Sequence, residues 1–479
     1  MEATALAFGQ VDNVPGPKSD SHLTGNVKNI FGPDRWAYEK ALVQQYGRIF
    51  KIQGMFNAVW LYTYDPRALY SIFVKDQDVF EENDGPLAPF MTTLGPGLLA
   101  TVGQQHRRQR KMLNPLFSAK HLREMTPIFN DIIHRLQDAI TSRVKQGTPE
   151  IHVLGWMGRT WNSLVQFADS VKAYFPVMQQ LEVPRLLLPR VMNIGPASFR
   201  RQVLELIPHA PLQRAIQISD ALYGQSLKII NSKKTALEKG DEELKQQVGE
   251  GEDIMSVLLR ANMTASEEDR LPDEEVVAQV STLVLAAMDA TSNALARILH
   301  LLSEHPDIQQ KLREEIIQAR DDGIGKLRDL DYDEVMELPF LDAVCRGTLR
   351  RVRKDAMLPL FAPIRGVDGQ LMHSIRSSGG EDAEKWKPER WLKPLAHALE
   401  EAHIPGVYSH LKTFIGGARA CIGFKFSQLE MKVVLGSLLP VFKFEPTEKT
   451  IHWNPAGVIY PSVGQHSRKP EMPLKVTLV

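Results

Sequence analysis

Apolar and polar positions alternate with period two in two short stretches near the N-terminus. Residues 49–52 and 59–64 carry β-branched and aromatic side chains on either side of a turn at 54–57, the pattern of a β-hairpin. Asp65-Pro66 then opens a short helix, with Asp65 as its cap and Pro66 at the first helical position. Residues 83–103 hold several Gly and Pro and read as a loop, and from His106 onward helical spacing predominates. The most distinctive helix begins at Pro272, carries Asp273, Glu274 and Glu275 in its first turn, and runs to about Glu304. Acidic residues suit the positive end of a helix, and the rod spans about 50 Å at 1.5 Å per residue. Its middle, 276–302, is apolar on most faces and should be buried. A second hairpin is predicted over 363–372, around Asp368-Gly369. The last long helix, 422–439, is apolar at Phe426, Leu429, Val433, Val434 and Leu438.

This order describes a mostly α protein with a small β-rich lobe. Residues 9–35 are rich in Pro, Gly, Asn and Asp and form a lead-in, so the chain divides into a segment 1–35 and a single domain 36–479. The charged, glycine-spaced stretch 238–253 reads as a solvated linker.

With 479 residues, 43% of them hydrophobic, the chain can bury a large core. Lys+Arg and Asp+Glu balance at 57 each, so no global attraction to nucleic acid or anionic lipid is implied. Two cysteines, Cys345 and Cys421, exclude a disulfide framework and suit a reducing compartment. The N-terminus as written holds neither a span of about 20 apolar residues nor a secretory core. A soluble or peripheral protein is expected.

The chemistry concentrates at Phe414-Ile415-Gly416-Gly417-Ala418-Arg419-Ala420-Cys421-Ile422-Gly423, which fits FxxGxRxCxG at every fixed position. A sulfur at a helix start faces free N–H groups, which should lower its pKa and favour the thiolate. Gly416, Gly417 and Gly423 permit close approach to a flat ligand, and Arg419 offers a cation to a carboxylate. A lone Cys is more often simply buried, at about three to one, but the surrounding pattern reverses those odds. A nucleophile would want a paired base, and none stands out.

At this point the chain resembles the cytochrome P450 family of heme-thiolate monooxygenases, of a fungal type, over about 14–464. The resemblance implies heme b with Cys421 as the axial iron ligand and Arg419 paired with a propionate. Phe414, Gly417 and Gly423 complete the cofactor loop. Pro15-Gly16-Pro17 is similar to the hinge that follows a membrane anchor. His106-Arg107-Arg108-Gln109-Arg110 is similar to the WxxxR helix, with His106 in place of Trp and Arg110 retained as a propionate partner. Residues 286–292 look like the oxygen-binding segment, 345–350 occupy the ExxR helix, and 387–391 look like the PERF segment.

By the same resemblance, the reaction is R–H + O2 + two electrons + two protons → R–OH + water on a hydrophobic secondary metabolite or xenobiotic. Electrons come from NADPH through a separate reductase, docked on cations that include Arg107–Lys111, Lys425 and Lys432. Asp289 and Thr291 are the candidate proton relay, and Ala286, Ala290 and residues 458–460 the candidate pocket lining. The protein would act as a monomer at the cytoplasmic face of the endoplasmic reticulum; as written without an anchor it reads as cytoplasmic or peripheral.

Three departures from the family pattern keep other readings open. Gly347 stands where the ExxR glutamate belongs, which should leave Arg350 and Arg390 without a partner, with Glu389 as a partial substitute. Ala290 stands where the oxygen-handling Thr belongs. The stretches after Arg350, before Lys387 and after Trp156 are short. A degenerate heme-binding homologue, or a heme-thiolate isomerase or dehydratase needing no electrons, therefore remain as alternatives.

Overall fold

The computed structural model describes residues 13–30, 35–63, 65–77, 79–80, 84–159, 165–181, 184, 187–239, 253–324, 326–355, 362–363, 369–373, 385–393, 406–408, 412–454, 456–465 and 467–479. Helix dominates them, with small sheets at the margins. The linker predicted over 238–253 falls almost wholly outside them.

The first hairpin forms as the alternation predicts. Ile49–Gln53 and Val59–Thr63 pair antiparallel, with Ile52 opposite Trp60. The inward positions Phe50, Ile52, Trp60 and Tyr62 are buried, and the Phe50 and Tyr62 rings stack at 4.5 Å. Asp65 caps the next helix, accepting from Arg67 N–H at 2.9 Å and Ala68 N–H at 3.1 Å. Ala362–Pro363 pairs with Gly369–His373, which also joins Val59–Thr63 in parallel. The predicted turn between those two strands lies outside the described residues.

The stretch expected as a loop over 83–103 instead carries a helix, Asp84–Leu94, and only the part beyond it is irregular. Pro89 lies inside that helix, at a cost of about 3 kcal/mol in an ordinary interior. Burial outweighs it: Leu94 packs into a cluster with Tyr174, Ile218 and Leu222 from two other helices.

The long helix predicted from Pro272 is present as Asp273–Leu285, Ala286–Thr291 and Ser292–Glu304 in succession, with Pro272 at the cap position. Its middle turn, Ala286–Thr291, is π-helical, a local widening that recurs at functional sites. The last helix, Phe424–Leu438, is buried at nearly every position, since it lies between other helices rather than on them. It packs on Ala119–Lys145, where the Phe129 and Phe426 rings meet at 5.2 Å, and shares one core with Leu299, Leu312 and Leu341. Among the described residues no helix is long and apolar enough to cross a membrane.

Candidate functional site

Cys421 sits at the end of a closed loop, just before the helix Phe424–Leu438. Its N–H donates to the Phe414 carbonyl at 2.8 Å, and the Ala420 N–H to the Gly417 carbonyl at 3.0 Å. Ile415 has φ 47 and Gly417 φ 79. The left-handed region costs a residue such as Ile about 1–2 kcal/mol, so the loop must be held from outside. At Gly417 the room left by the missing side chain is taken by protein: a Cβ there would collide with the Phe73 carbonyl oxygen. Gln77 accepts the Ala418 N–H at 2.7 Å from 341 positions away in the chain. No local pattern marks Gln77, which is why the sequence does not single it out.

Two guanidinium groups brace the same loop. Arg110 donates to the Ala420 carbonyl at 2.5 Å and to Asn114 Oδ1 at 2.9 Å. Arg419 donates to the Thr101 carbonyl at 3.0 Å. His106 is buried, and burial, followed by the nearby Arg419, Arg110 and Arg107, pushes its pKa down to about 3. The imidazole is therefore neutral, with one N–H to donate, inside a cationic setting that suits carboxylates.

A pH dependence follows. The unfolded chain binds a proton at His106 near pH 6.5 that the folded chain refuses down to about 3. The heme-free protein should therefore lose stability as pH falls below that upper value. His106→Gln should flatten this limb of the curve in urea melts; an unchanged slope would show that the ring is not held neutral.

The thiol differs from expectation. Burial pushes the Cys421 pKa up, and the Gly423 N–H and Arg110 pull it only part of the way back. Gly423 is the cap of the helix, and its N–H favours the thiolate without outweighing desolvation. Cys421 is nevertheless exposed. Accessibility is the property that matters to a ligand. A metal cation there would reverse the balance, since a coordinating thiol is deprotonated outright. Among the described residues no group of three or more His, Cys, Asp or Glu is placed to hold a metal. An accessible Cys421 with Arg110, Arg419 and the neutral His106 near it is a donor set that suits an iron bringing its own ring of ligands and carboxylates.

On the central rod, Ala286 and Ala290 are exposed while Leu285, Met288, Asp289 and Thr291 are buried. The two alanines, four apart, share one face and open it. Asp289 turns elsewhere: its Oδ1 lies 3.4 Å from Lys172 Nζ and accepts from Asn293 at 3.2 Å. Lys172, from the helix Val165–Gln180, also donates to the Met288 carbonyl at 2.8 Å and to the Ser292 hydroxyl. Burial pushes the Asp289 carboxyl up against the pull of Lys172, and pushes Lys172 down. Of the other candidate lining, Val458 is half-buried, and Ile459 and Tyr460 are buried.

Two expectations are corrected. Lys432 is no docking cation: it is 1% exposed, donates to the Met336 carbonyl at 2.7 Å and lies 2.9 Å from Asp342. Arg350 and Arg390 are not left without partners, although Gly347 supplies no carboxylate. Glu389 pairs with Lys311 at 3.6 Å. A Cβ at 347 would meet Trp386, Pro388 and Trp391 at 3.4–3.6 Å, ordinary contact. Gly347→Ala should therefore raise stability by about 1 kcal/mol, the helix-propensity difference, read as a higher urea midpoint. A loss would mean that this helix cannot accept even a methyl group.

The chain is similar to known proteins over most of its length. The sequence model of the cytochrome P450 family matches residues 15–353 and 381–470, with its break where the chain is short after Arg350. Cytochrome P450 monooxygenase 91 of Postia placenta is 46% identical over 515 residues, covering 98% of this chain and 94% of that one. A ganoderic acid synthetase of Ganoderma lucidum is 44% identical over 519 residues, with the same coverage. An alignment longer than this 479-residue chain includes positions that the chain lacks. A match over most of the chain, and relatives at this identity, establish that the protein is an enzyme of the cytochrome P450 family, the heme monooxygenases.

Proposed function

We propose that Cys421 is the protein ligand of heme iron and that the enzyme inserts one oxygen atom of O2 into a lipophilic secondary metabolite. The observation that carries this reading is the accessible Cys421 at the end of a loop braced by Arg110 and Gln77. Arg419, His106 and Arg110 are the residues that would hold the propionates. When bound, the heme supplies the redox chemistry, and electron donation from an axial sulfur favours O–O cleavage.

The chain's own residues set the conditions. The open face at Ala286 and Ala290 leaves room for an apolar substrate. Asp289 Oδ1, held by Lys172 and Asn293, is the buried site from which a proton can be passed, with the Thr291 hydroxyl as the next donor along the rod. The relative named as a ganoderic acid synthetase supports a secondary-metabolite substrate. The electron donor is an NADPH-dependent reductase. Its docking face is narrower than the sequence suggests: Arg108 is engaged by Glu275 and Lys111 by Asp269, and Lys425 is the cation to test by charge reversal. The enzyme acts as a monomer on the cytoplasmic face of the endoplasmic reticulum.

The decisive experiment is the spectrum of the purified, reduced, CO-treated protein, followed by NADPH consumption with a reductase and a lipophilic substrate. A thiolate-type band with product-coupled consumption supports the proposal. Failure to take up heme sinks it. A second reading, a heme-thiolate protein without oxygenase turnover, is favoured by Ala290 standing on the open face where a hydroxyl would serve; a thiolate-type band without NADPH consumption would select it.

A further inference from the structure

We infer that the Asp342 carboxylate is a positioning group for Cys421, clamping the chain on both sides of the sulfur-bearing loop. The inference rests on Cys421 being the heme ligand only for what the clamp is for. Asp342 lies in the first turn of the helix Pro339–Asp355. Its Oδ1 accepts the Tyr408 hydroxyl at 2.6 Å and lies 2.9 Å from Lys432 Nζ; its Oδ2 lies 2.5 Å from Arg346 Nε. Tyr408 precedes the loop and Lys432 follows it.

One arm reaches the Cys421 backbone through a short chain of contacts, and the other grips the helix that follows it. The Tyr408 ring packs on Phe414 at 6.1 Å between centroids, and the Phe414 carbonyl accepts the Cys421 N–H. Lys432 lies in the helix that starts just after Cys421 and is 1% exposed. A charge so buried is tolerated only with partners, and Lys432 has two, Asp342 and the Met336 carbonyl. The Arg346 guanidinium closes the cluster from the other side, 5.0 Å over the Tyr408 ring.

A buried ion set of this kind contributes geometry more dependably than stability, because desolvation offsets most of its attraction. Here it fixes the rotation and axial register of the Cys421 helix against its neighbour. Gly347, on the same helix, faces Trp386 and Pro388 instead. Asp342 is an acidic grip of this helix on the segments that flank the loop.

The test uses the full chain with Asp342→Asn, Tyr408→Phe and Asp342→Glu. As a control, Asp329→Asn breaks a different ion pair, with Arg320 at 3.1 Å. In heme-free protein, mass spectrometry follows the alkylation of Cys421 by iodoacetamide. Cys345 stays silent, being 1% exposed with its pKa pushed up to about 12. Heme-loaded protein is scored for the thiolate fraction of its CO spectrum.

Asp342→Asn should speed alkylation measurably and should shift part of the CO spectrum away from the thiolate form. Tyr408→Phe should do the same to a lesser degree, and Asp342→Glu should recover part of the loss. If Asp342→Asn and Tyr408→Phe lower Tm as the control does but change neither alkylation nor spectrum, the clamp is an ordinary brace and the inference is overturned. If Asp342→Asn fails to fold, Tyr408→Phe decides by the same two readouts. A wild-type chain with no thiolate band would refute the heme-thiolate reading, while the alkylation rates would still decide the clamp.

Discussion

Cys421→Ala is expected to abolish the thiolate-type CO spectrum and all O2-dependent turnover while leaving the fold standing. Cys421 is accessible, so removing its sulfur leaves no cavity in a packed core, and the stability change should stay within about 1 kcal/mol. The loop's shape depends on backbone bonds at Cys421 N and Ala420 N and on Arg110 and Gln77, none of which uses the sulfur. The other thiol cannot stand in. Cys345 is buried, with its pKa pushed up to about 12 by desolvation. Circular dichroism melting beside the CO spectrum separates loss of ligand from loss of fold. A persisting thiolate band in the alanine variant would remove Cys421 from the iron.

The second large effect is expected from Lys172→Met. It strands the Asp289 carboxylate in a buried setting, and breaking one side of such a pair typically costs about 3–5 kcal/mol. The sign of its pH dependence is definite. Without Lys172 the folded pKa of Asp289 rises further above its unfolded value, so the folded state retains a proton that the unfolded state releases above about pH 4. The variant should be most destabilised near neutrality and approach wild type on acidification. Lys172→Met combined with Asp289→Asn should recover most of the loss, because no lone charge remains buried. Urea melts at about pH 5 and 7 measure both claims; a pH-independent deficit, or no recovery in the double variant, would show that Lys172 acts through packing alone. Turnover gives a separate readout. If Asp289 passes protons, both single variants should consume NADPH with less product and more peroxide.

How much was legible in advance varies with the range of the interactions. The first hairpin, the Asp65 cap and the Cys421 loop were readable because each is specified by neighbours in sequence: alternation, a capping side chain before Pro66, glycine and arginine at fixed offsets from the sulfur. The burial of the central rod was readable because residues 276–302 leave no polar face. The helix Asp84–Leu94 was not, since its Gly and Pro content signals a loop and only contacts with Tyr174, Ile218 and Leu222 overrule it.

The site divides in the same way. From the order of residues come the candidate ligand Cys421, the cations Arg110 and Arg419, the departures at Gly347 and Ala290, and membership of the family. Tertiary structure alone makes Lys432 a buried anchor instead of a surface cation, brings Lys172 to Asp289, sets Gln77 and Phe73 against the Cys421 loop, and turns Ala286 and Ala290 toward open space. The reason is physical. A charged or polar side chain takes its role from the partner and the dielectric around it, and here those partners lie up to hundreds of residues away in the chain. Local patterning carries the identity of the groups; only packing decides which of them are buried, which are paired and which are left to react.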